Sequence, residues 1–301
     1  MWGTFLARAL SPHVLVIVPD YRNYPRVTIE GMVADVDMSI DWVLRNAEKY
    51  GGDRERVVVV GQSAGAHLGG LVVVKKVLDK LKRQCLMNGR SSMNGSSNLH
   101  VPLKTRYEAT QLCGFISTSS PHNLVTMRQV FHRHGLSSSV QKSIFGGVEA
   151  DDPGGAIDSS GDDVFEKWST FHLIKECHEE HLKLTDNASD GTEASIEFDL
   201  KDLFPRLCVI HGTDDKTVSP IFLKISIENM RAHTILHKMH HIRYQLRNPL
   251  SSYLYYPICK YPVRANFTKD GLTLIQYWRL LCEAITYIIK MCTSWCGFGL
   301  V

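Results

Sequence analysis

The pentapeptide Gly61-Gln62-Ser63-Ala64-Gly65 combines residue types that suit nucleophilic catalysis. An apolar, β-branched run at residues 57–60 precedes it and a helix-like pattern follows it, so the sequence predicts a strand, a sharp turn and a helix. A serine on such a turn holds its hydroxyl above the end of a sheet, next to a helix N-terminus that favours developing negative charge. Glycines two residues to either side allow a tight bend and close backbone packing. The pattern therefore marks Ser63 as a candidate nucleophile.

A carboxylate that could assist this serine follows a second strand-like run. Residues 207–210 are apolar and lead into a polar turn that contains Asp214 and Asp215. A serine hydroxyl is a weak nucleophile at neutral pH and needs a base, usually a histidine that a carboxylate orients. Because a turn at a strand end can bring an acid to the carboxyl edge of a sheet, we interpret Asp215 as the candidate acid. A solvated turn is the alternative interpretation for this aspartate pair.

The surrounding sequence predicts an alternation of strands and helices. Helical spacing of apolar residues follows a candidate N-cap at Thr28, and Gly51 and Gly52 end that helix. Such alternation favours a mostly parallel sheet with helices on both faces, within a single domain over residues 1–301. The predicted strands lie at residues 13–18, 57–60, 112–116 and 207–210, and the predicted helices at residues 29–47, 64–83 and 164–184.

Composition and charge limit the classes of function. Of the 301 residues, 44% are hydrophobic and 22% are charged, which is ordinary for a globular protein. The formal net charge of +3 gives no reason to expect nucleic acid as a partner. The first residues lack the pattern of a signal peptide, and no apolar run reaches the about 18 residues of a spanning helix. The eight cysteines lack Cys-x-x-Cys spacing, so we interpret them as thiols in a reducing, intracellular compartment.

Three segments do not fit the alternation of strands and helices. Residues 86–101 are rich in serine, asparagine and glycine, and residues 185–195 are acidic and contain glycine and serine. We interpret both as mobile insertions. Residues 229–270 lack clear periodicity and receive no assignment.

Several motifs resemble the esterase-type α/β hydrolases, and most closely the isoprenylcysteine methylesterase group. The motifs lie at residues 18–25, 51–53, 61–68, 131–136, 144–147 and 211–218. The resemblance covers roughly residues 1–84 and 111–225. It implies an α/β-hydrolase-like fold and hydrolysis of a carboxylic ester, with Ser63 as the nucleophile and Asp215 as the acid.

The resemblance also implies the other components of the reaction. Ala64 would supply a backbone N–H to the oxyanion, and Gln62 would lie beside it at the oxyanion and substrate-binding position. The substrate would be a prenylated cysteine methyl ester that releases methanol, and neither a cofactor nor a metal is expected. The family would place the protein in the cytoplasm or on membranes of the endoplasmic reticulum or Golgi.

The base is expected after Asp215, because the chain order of this fold is serine, acid, histidine. A polar turn after a helix could return His240 or His241 to the edge of the sheet, and these two are favoured, with His241 taken as the base. For each of them an ordinary exposed histidine is the alternative. The histidines in this part of the chain are His233, His237, His240 and His241.

The residues before Ser63 depart from the family pattern. In this fold a second oxyanion donor comes from a glycine-rich loop after the third strand, and no His-Gly-Gly element precedes Ser63. The family strand between residues 14–18 and 57–60 is also missing, which would leave both runs with an unpaired edge inside the sheet. We therefore expect a fold without its N-terminal strands. The chain would be an incomplete or mis-spliced form of a longer esterase, or a pseudo-enzyme that kept the turn and lost the loop.

Two other functions remain open at this point. An amide hydrolase of the arylformamidase type has a closely similar motif at residues 61–68. A non-catalytic binding or scaffold protein could keep the same fold without the reaction.

Overall fold

The structure is a computed structural model. It describes residues 14–87, 103–146, 163–185, 199–212, 239–247, 251–255 and 263–265, together with residues 4, 7, 8, 10 and 11.

Six strands form one sheet in the order β1-β2-β3-β4-β5-β6. The first four strands are parallel, and β5 and β6 join the sheet antiparallel. The predicted mostly parallel sheet is therefore confirmed. The strands are β1 Val58–Gln62, β2 Gly114–Thr118, β3 Arg206–Gly212, β4 Met239–Arg247, β5 Ser251–Tyr255 and β6 Val263–Ala265. The helices are α1 Ile29–Asn46, α2 Ala64–Met87, α3 Leu124–Arg133, α4 Ser138–Gly146, α5 Asp163–Lys167 and α6 Thr170–Thr185.

Helix α1 forms as its sequence pattern predicts. Thr28 takes the N-cap position in an extended conformation, although its side chain does not cap the helix. Burial of Ile29, Val33, Ile40 and Leu44 places the apolar side of α1 against the core. A 3-10 turn follows at Ala47–Tyr50 and ends at a residue with a φ of +81°, a conformation that favours the glycine found there, Gly51.

Helix α2 lies at the centre of the described core. It packs against β1 and β2, while α1 and α6 pack against α2 itself. All residues from Ala66 to Asp79 are buried, as expected of a helix with neighbours on every side. Close approach to the sheet explains Gly69, because a Cβ atom there would lie 3.0 Å from the Phe115 ring. This packing fixes the start of α2 directly above the end of β1.

The strand predicted at residues 13–18 is wrong for residues 14–18. These residues are not part of the sheet, and Leu15 and Val18 are 41% and 58% exposed. Within the described residues β1 is an outer strand that pairs only with β2. A strand needs a neighbour to take its backbone hydrogen bonds, and residues 14–18 have no paired neighbour in the described part of the sheet. Their apolar composition alone therefore did not make them a strand.

The helix predicted at residues 164–184 is two helices, α5 and α6. The break lies at Ser169, whose buried hydroxyl donates to the Phe165 carbonyl at 2.6 Å. The same oxygen accepts the Leu124 N–H at 2.8 Å and so holds the start of α3. A side chain that bonds backbone groups in this way competes with helical hydrogen bonds, which accounts for the break.

The remaining expectations lie largely outside the described residues. Leu86 and Met87 extend α2, and Thr185 ends α6, but the rest of residues 86–101 and 185–195 is not described. Within residues 229–270 the structure describes β4, β5 and β6. None of the described helices combines the length and the apolarity needed to cross a lipid bilayer.

Candidate active site

Ser63 occupies the turn between β1 and α2, as the sequence predicts. Its φ of +49° lies in the left-handed region, a backbone conformation that residues other than glycine and asparagine rarely adopt. Its N–H donates to the Thr118 carbonyl at 2.8 Å, and its carbonyl accepts the His67 N–H at 3.0 Å. The residue is exposed, and its hydroxyl makes no hydrogen bond with a described residue. The strained backbone is therefore held on both sides while the side chain stays accessible.

The two glycines that flank Ser63 in the motif have different roles. A Cβ atom on Gly61 would lie 2.5 Å from Ala66 Cα and 2.6 Å from Ala66 N, which no side chain can occupy. A Cβ atom on Gly65 would meet no atom within 4 Å. Only Gly61 is required for the tight bend, and the expectation that both glycines serve close packing holds for Gly61 alone.

Ala64 and Gln62 lie on either side of Ser63, at the positions expected from the sequence. Ala64 is the first residue of α2, so its N–H belongs to the helical turn that has no acceptor within the helix. The helix N-terminus favours negative charge at this point. Gln62 is the last residue of β1 and pairs with Thr118 of β2. The backbone around Ser63 can thus supply one hydrogen-bond donor to an oxyanion.

Three histidines that lie near one another, His67, His122 and His211, are buried. Burial lowers the pKa of His67 to about 4, against the opposing effect of the Trp168 and Pro121 carbonyls. Those carbonyls are near the ring, but neither ring nitrogen of His67 makes a hydrogen bond of normal geometry with a described residue. Burial, with a smaller effect from the nearby rings of His67 and His211, lowers the pKa of His122 to about 3. His67 and His122 are therefore neutral at pH 7, and His67 is a packed residue, as its place behind the turn suggests.

His122 joins the sheet to α6 through its ring. The Ser117 hydroxyl lies 3.5 Å from Nε2, and Thr170 Oγ1 lies 3.1 Å from Nδ1. Because the Thr170 hydroxyl donates to the His122 carbonyl, Nδ1 carries the hydrogen that Thr170 accepts. These three residues also line a small, apolar cavity of about 40 Å³. Its other lining residues are Gly70, Val73, Val74, Phe115, Ile174, Phe204, Leu207, Cys208 and Val209.

The described residues do not test whether the predicted acid and base meet Ser63. Asp215 lies outside the described residues, three positions after the end of β3, as do His233 and His237. The polar turn expected around residues 240 and 241 is a strand instead, because both residues belong to β4. There His240 pairs with Cys208 and His241 with Val209, and three strand spacings of ~4.8 Å separate β4 from β1. The roles of Asp215 and His241 stay predictions.

Ser119 is a residue of this region that the sequence analysis missed. It follows the last residue of β2 and has the same φ of +49° as Ser63. Its N–H donates to the Ile210 carbonyl at 2.9 Å. The only signal in the sequence is a run of small polar residues after a strand. This run does not reveal which residue of the neighbouring strand lies beside Ser119. Among the described residues no group of three or more histidine, cysteine or acidic side chains could hold a metal ion.

Two curated proteins are similar to this chain in sequence. The "Probable isoprenylcysteine alpha-carbonyl methylesterase ICMEL1" of Oryza sativa subsp. japonica is 28% identical over 218 residues, which are 72% of this chain and 40% of that protein. The protein of the same name from Arabidopsis thaliana is 31% identical over 150 residues, which are 50% of this chain and 28% of that protein. The chain therefore spans less than half the length of these curated relatives.

Solved structures show the fold. Carboxyl esterase 2 (TmelEST2) from the mycorrhizal fungus Tuber melanosporum superposes with a TM-score of 0.51, at 15% identity, over 97% of this chain and 71% of that chain. The fold is that of the α/β hydrolases, as the sequence predicts. The family that matches is BD-FAE, and its match covers residues 3–155, more than half of the 301 residues, including the whole turn around Ser63. The chain belongs to the BD-FAE family.

Proposed function

We propose that the chain hydrolyses carboxylic esters with Ser63 as the nucleophile, and that its substrate is the methyl ester of a prenylated cysteine. The observation that carries the proposal is the backbone of Ser63, held at a φ of +49° between β1 and α2 with its side chain exposed. Residues kept in strained conformations cluster at functional sites, and this one has a nucleophilic side chain. The N-terminus of α2 lies beside it, where an oxyanion would form.

The proposed reaction is acyl transfer to water in two steps. The Ser63 oxygen forms a bond with the ester carbonyl carbon while its proton passes to an imidazole, and the Ala64 N–H stabilises the oxyanion. The bond from that carbon to the alkoxy oxygen then breaks, and the imidazole returns the proton to the leaving methanol. A water molecule attacks the acyl-serine by the same route, which releases the carboxylic acid and restores the Ser63 hydroxyl.

The choice of substrate rests on the relatives. Two of them are named as isoprenylcysteine alpha-carbonyl methylesterases, at 28% and 31% identity to this chain. A prenyl group partitions into lipid, so the chain would meet such a substrate at a membrane surface. We extend the proposal to that location, on membranes of the endoplasmic reticulum or Golgi.

Labelling with a fluorophosphonate probe tests the reaction, because the probe bonds covalently to an activated serine. We expect the wild-type chain to be labelled, and Ser63→Ala to lose the label while it unfolds at the same urea concentration. Ser39→Ala is the matched control, since the Ser39 hydroxyl bonds only the Asp35 carbonyl of its own helix. Absence of label on the folded wild-type chain would contradict the proposal and favour a binding or scaffold protein.

A pair of substrates tests the proposed specificity. The wild-type chain should release methanol from a prenylcysteine methyl ester and leave an N-formyl aromatic amine intact. The opposite preference would identify an amide hydrolase of the arylformamidase type. Labelling of Ser63 without hydrolysis of either compound would limit the proposal to a reactive serine.

A further inference from the structure

Ser63 and Ser119 form a matched pair at the carboxyl edge of the sheet. They are the only residues other than glycine with a positive φ in the described part of the chain. Gln62 pairs with Thr118 in the parallel ladder, so the next residue on each strand lies at the same level. The two backbones are therefore about one strand spacing apart, ~4.8 Å.

The conformation of Ser119 is supported from its neighbours and leaves its hydroxyl available. Its N–H donates to the Ile210 carbonyl of β3 and so continues the ladder. The carbonyl of the preceding residue, Thr118, accepts the Ser63 N–H. Ser119 is half-buried, and its hydroxyl makes no hydrogen bond with a described residue. A left-handed serine costs on the order of 1 kcal/mol and persists where the surroundings impose it. The sheet thus holds Ser119 about one strand spacing from Ser63, with a hydroxyl that makes no hydrogen bond to the described residues.

One strand spacing between the two serine backbones, ~4.8 Å, is compatible with the spacing of groups in an aminoacyl ester. When the scissile carbonyl carbon lies on Ser63, the oxyanion points to the Ala64 N–H, and the α carbon of the amino acid must point elsewhere. Its α nitrogen is then two bonds from the reacting carbon. A hydrogen bond of ~2.9 Å from this N–H can span the remaining gap to a hydroxyl one strand away. Ser119 lies one strand from Ser63 at the same level of the sheet, so its hydroxyl is the candidate for that acceptor.

We propose that Ser119 is a specificity-determining residue whose hydroxyl accepts a hydrogen bond from the N–H on the α carbon of an aminoacyl ester. The proposal rests on the proposed function, since it needs Ser63 to attack an ester. It deepens the proposed specificity for a prenylated cysteine ester by naming the residue that would recognise the acylated α nitrogen of that substrate. An ester without this N–H gains nothing from Ser119.

Two substrates that differ only in the α nitrogen test this proposal on the full chain. One is N-acetyl-S-farnesylcysteine methyl ester, and the other is methyl 3-(farnesylthio)propanoate, which has the same ester and prenyl chain without the acetamido group. We expect Ser119→Ala to lower kcat/KM about 10-fold for the first ester, the effect of one neutral hydrogen bond, and to leave the second unchanged. Fluorophosphonate labelling of Ser63 should keep its wild-type rate in this variant.

Two further variants separate the hydroxyl from the backbone strain. Ser119→Gly accepts the left-handed conformation without a hydroxyl, and should show the same selective loss as Ser119→Ala. Ser119→Asn tolerates that conformation and keeps a polar acceptor, so it should stay within about 3-fold of the wild type on both esters. Ser39→Ala serves as the control, because its hydroxyl lies on α1 and bonds its own helix.

The outcomes distinguish this proposal from the proposed function. An equal loss on both esters, or no loss on either, would overturn the role of Ser119 while Ser63 remains labelled. Faster hydrolysis of the ester without the acetamido group by the wild-type chain would overturn it as well. Failure of the wild-type chain both to react with the probe and to hydrolyse either ester would overturn the proposed function, and the specificity proposal with it.

Discussion

The Ser63 N–H donates a hydrogen bond of 2.8 Å to the carbonyl of Thr118, the last residue of β2 and the residue before Ser119. Ser119 repeats the arrangement one strand further on, where its N–H donates to the Ile210 carbonyl at 2.9 Å. The parallel ladder therefore continues for one residue past the ends of β1 and β2. Each of these strands is followed by a serine in the left-handed conformation, where the backbone leaves the sheet. This relationship makes Ser63 part of the sheet edge rather than of a free loop.

The turn around Ser63 should tolerate a side chain at one flanking glycine and reject it at the other. In Gly61→Ala the new Cβ atom would lie 2.5 Å from backbone of Ala66, so the turn must open. We expect the free energy of unfolding to fall by about 3 kcal/mol or more, as in severe overpacking. Urea denaturation followed by circular dichroism measures the change.

Gly65→Ala is the matched control for Gly61→Ala. Its Cβ atom would meet no neighbour within 4 Å, and alanine favours the helix over glycine by about 0.5–1 kcal/mol. The unfolding midpoint should stay the same or rise. Similar losses in the two variants would show that the backbone contact at Gly61 does not limit the turn.

The hydroxyl of Thr105 should stabilise the fold, because it bridges a buried ion pair between Asp37 of α1 and Lys76 of α2. Thr105 Oγ1 lies 2.7 Å from both carboxylate oxygens of Asp37 and accepts from Lys76 Nζ at 2.5 Å. Lys76 and Asp37 themselves are 3.4 Å apart and almost fully buried. In Thr105→Val both charges lose this bridge without a change of shape, so we expect a loss of about 2 kcal/mol in unfolding free energy.

The control for the threonine bridge is Thr110→Val, which makes the same chemical change at an exposed position. It should alter the unfolding free energy by less than about 0.5 kcal/mol. Equal effects at the two positions would mean that the hydroxyl of Thr105 does not stabilise the buried charges.

The stability of the fold should decrease in acid because of the buried histidines. Burial lowers the pKa of His67 to about 4 and that of His122 to about 3, below the ~6.5 of a histidine in an unfolded chain. Between these values the unfolded chain binds more protons than the folded one. The stabilisation is complete above about pH 6.5 and is lost as the pH falls toward 4, on the order of 3 kcal/mol for His67.

Urea unfolding between pH 7 and pH 4 measures this effect. His67→Gln removes one titrating group and should flatten the dependence of the unfolding free energy on pH. His132→Gln, at an exposed position of α3, should keep the wild-type slope. A wild-type slope in His67→Gln would show that His67 does not contribute.

Substitutions of the predicted acid and base should separate the candidates by activity. If Asp215 orients the base, Asp215→Asn should lower ester hydrolysis by roughly 10³–10⁴-fold without a change in stability. Single glutamine variants of His233, His237, His240 and His241 should include one with a loss of the same size. The prediction that His241 is the base fails if His241→Gln keeps its activity and another variant loses it.

The amino-acid sequence by itself determined the features whose interactions are local. Three such features surround Ser63, and each depends on interactions within a few residues. They are the β-branched run before Gly61, Gly61 itself, where the sharp bend leaves no room for a Cβ atom, and the helix that starts at Ala64. The same holds for α1, whose apolar spacing and terminal Gly51 set its length. These short-range preferences predict the turn on which Ser63, the candidate nucleophile, lies.

Tertiary structure alone decided which distant segments lie side by side. Residues 14–18 have the composition of a strand but no paired neighbour in the described sheet, and Ser169 breaks a helical pattern because it holds the start of α3. The level of Ser119 beside Ser63 depends on hydrogen bonds between strands that are more than 50 residues apart in the chain. Periodicity along one segment carries no record of such pairing, because the register is fixed only when both strands bury their side chains in a common core.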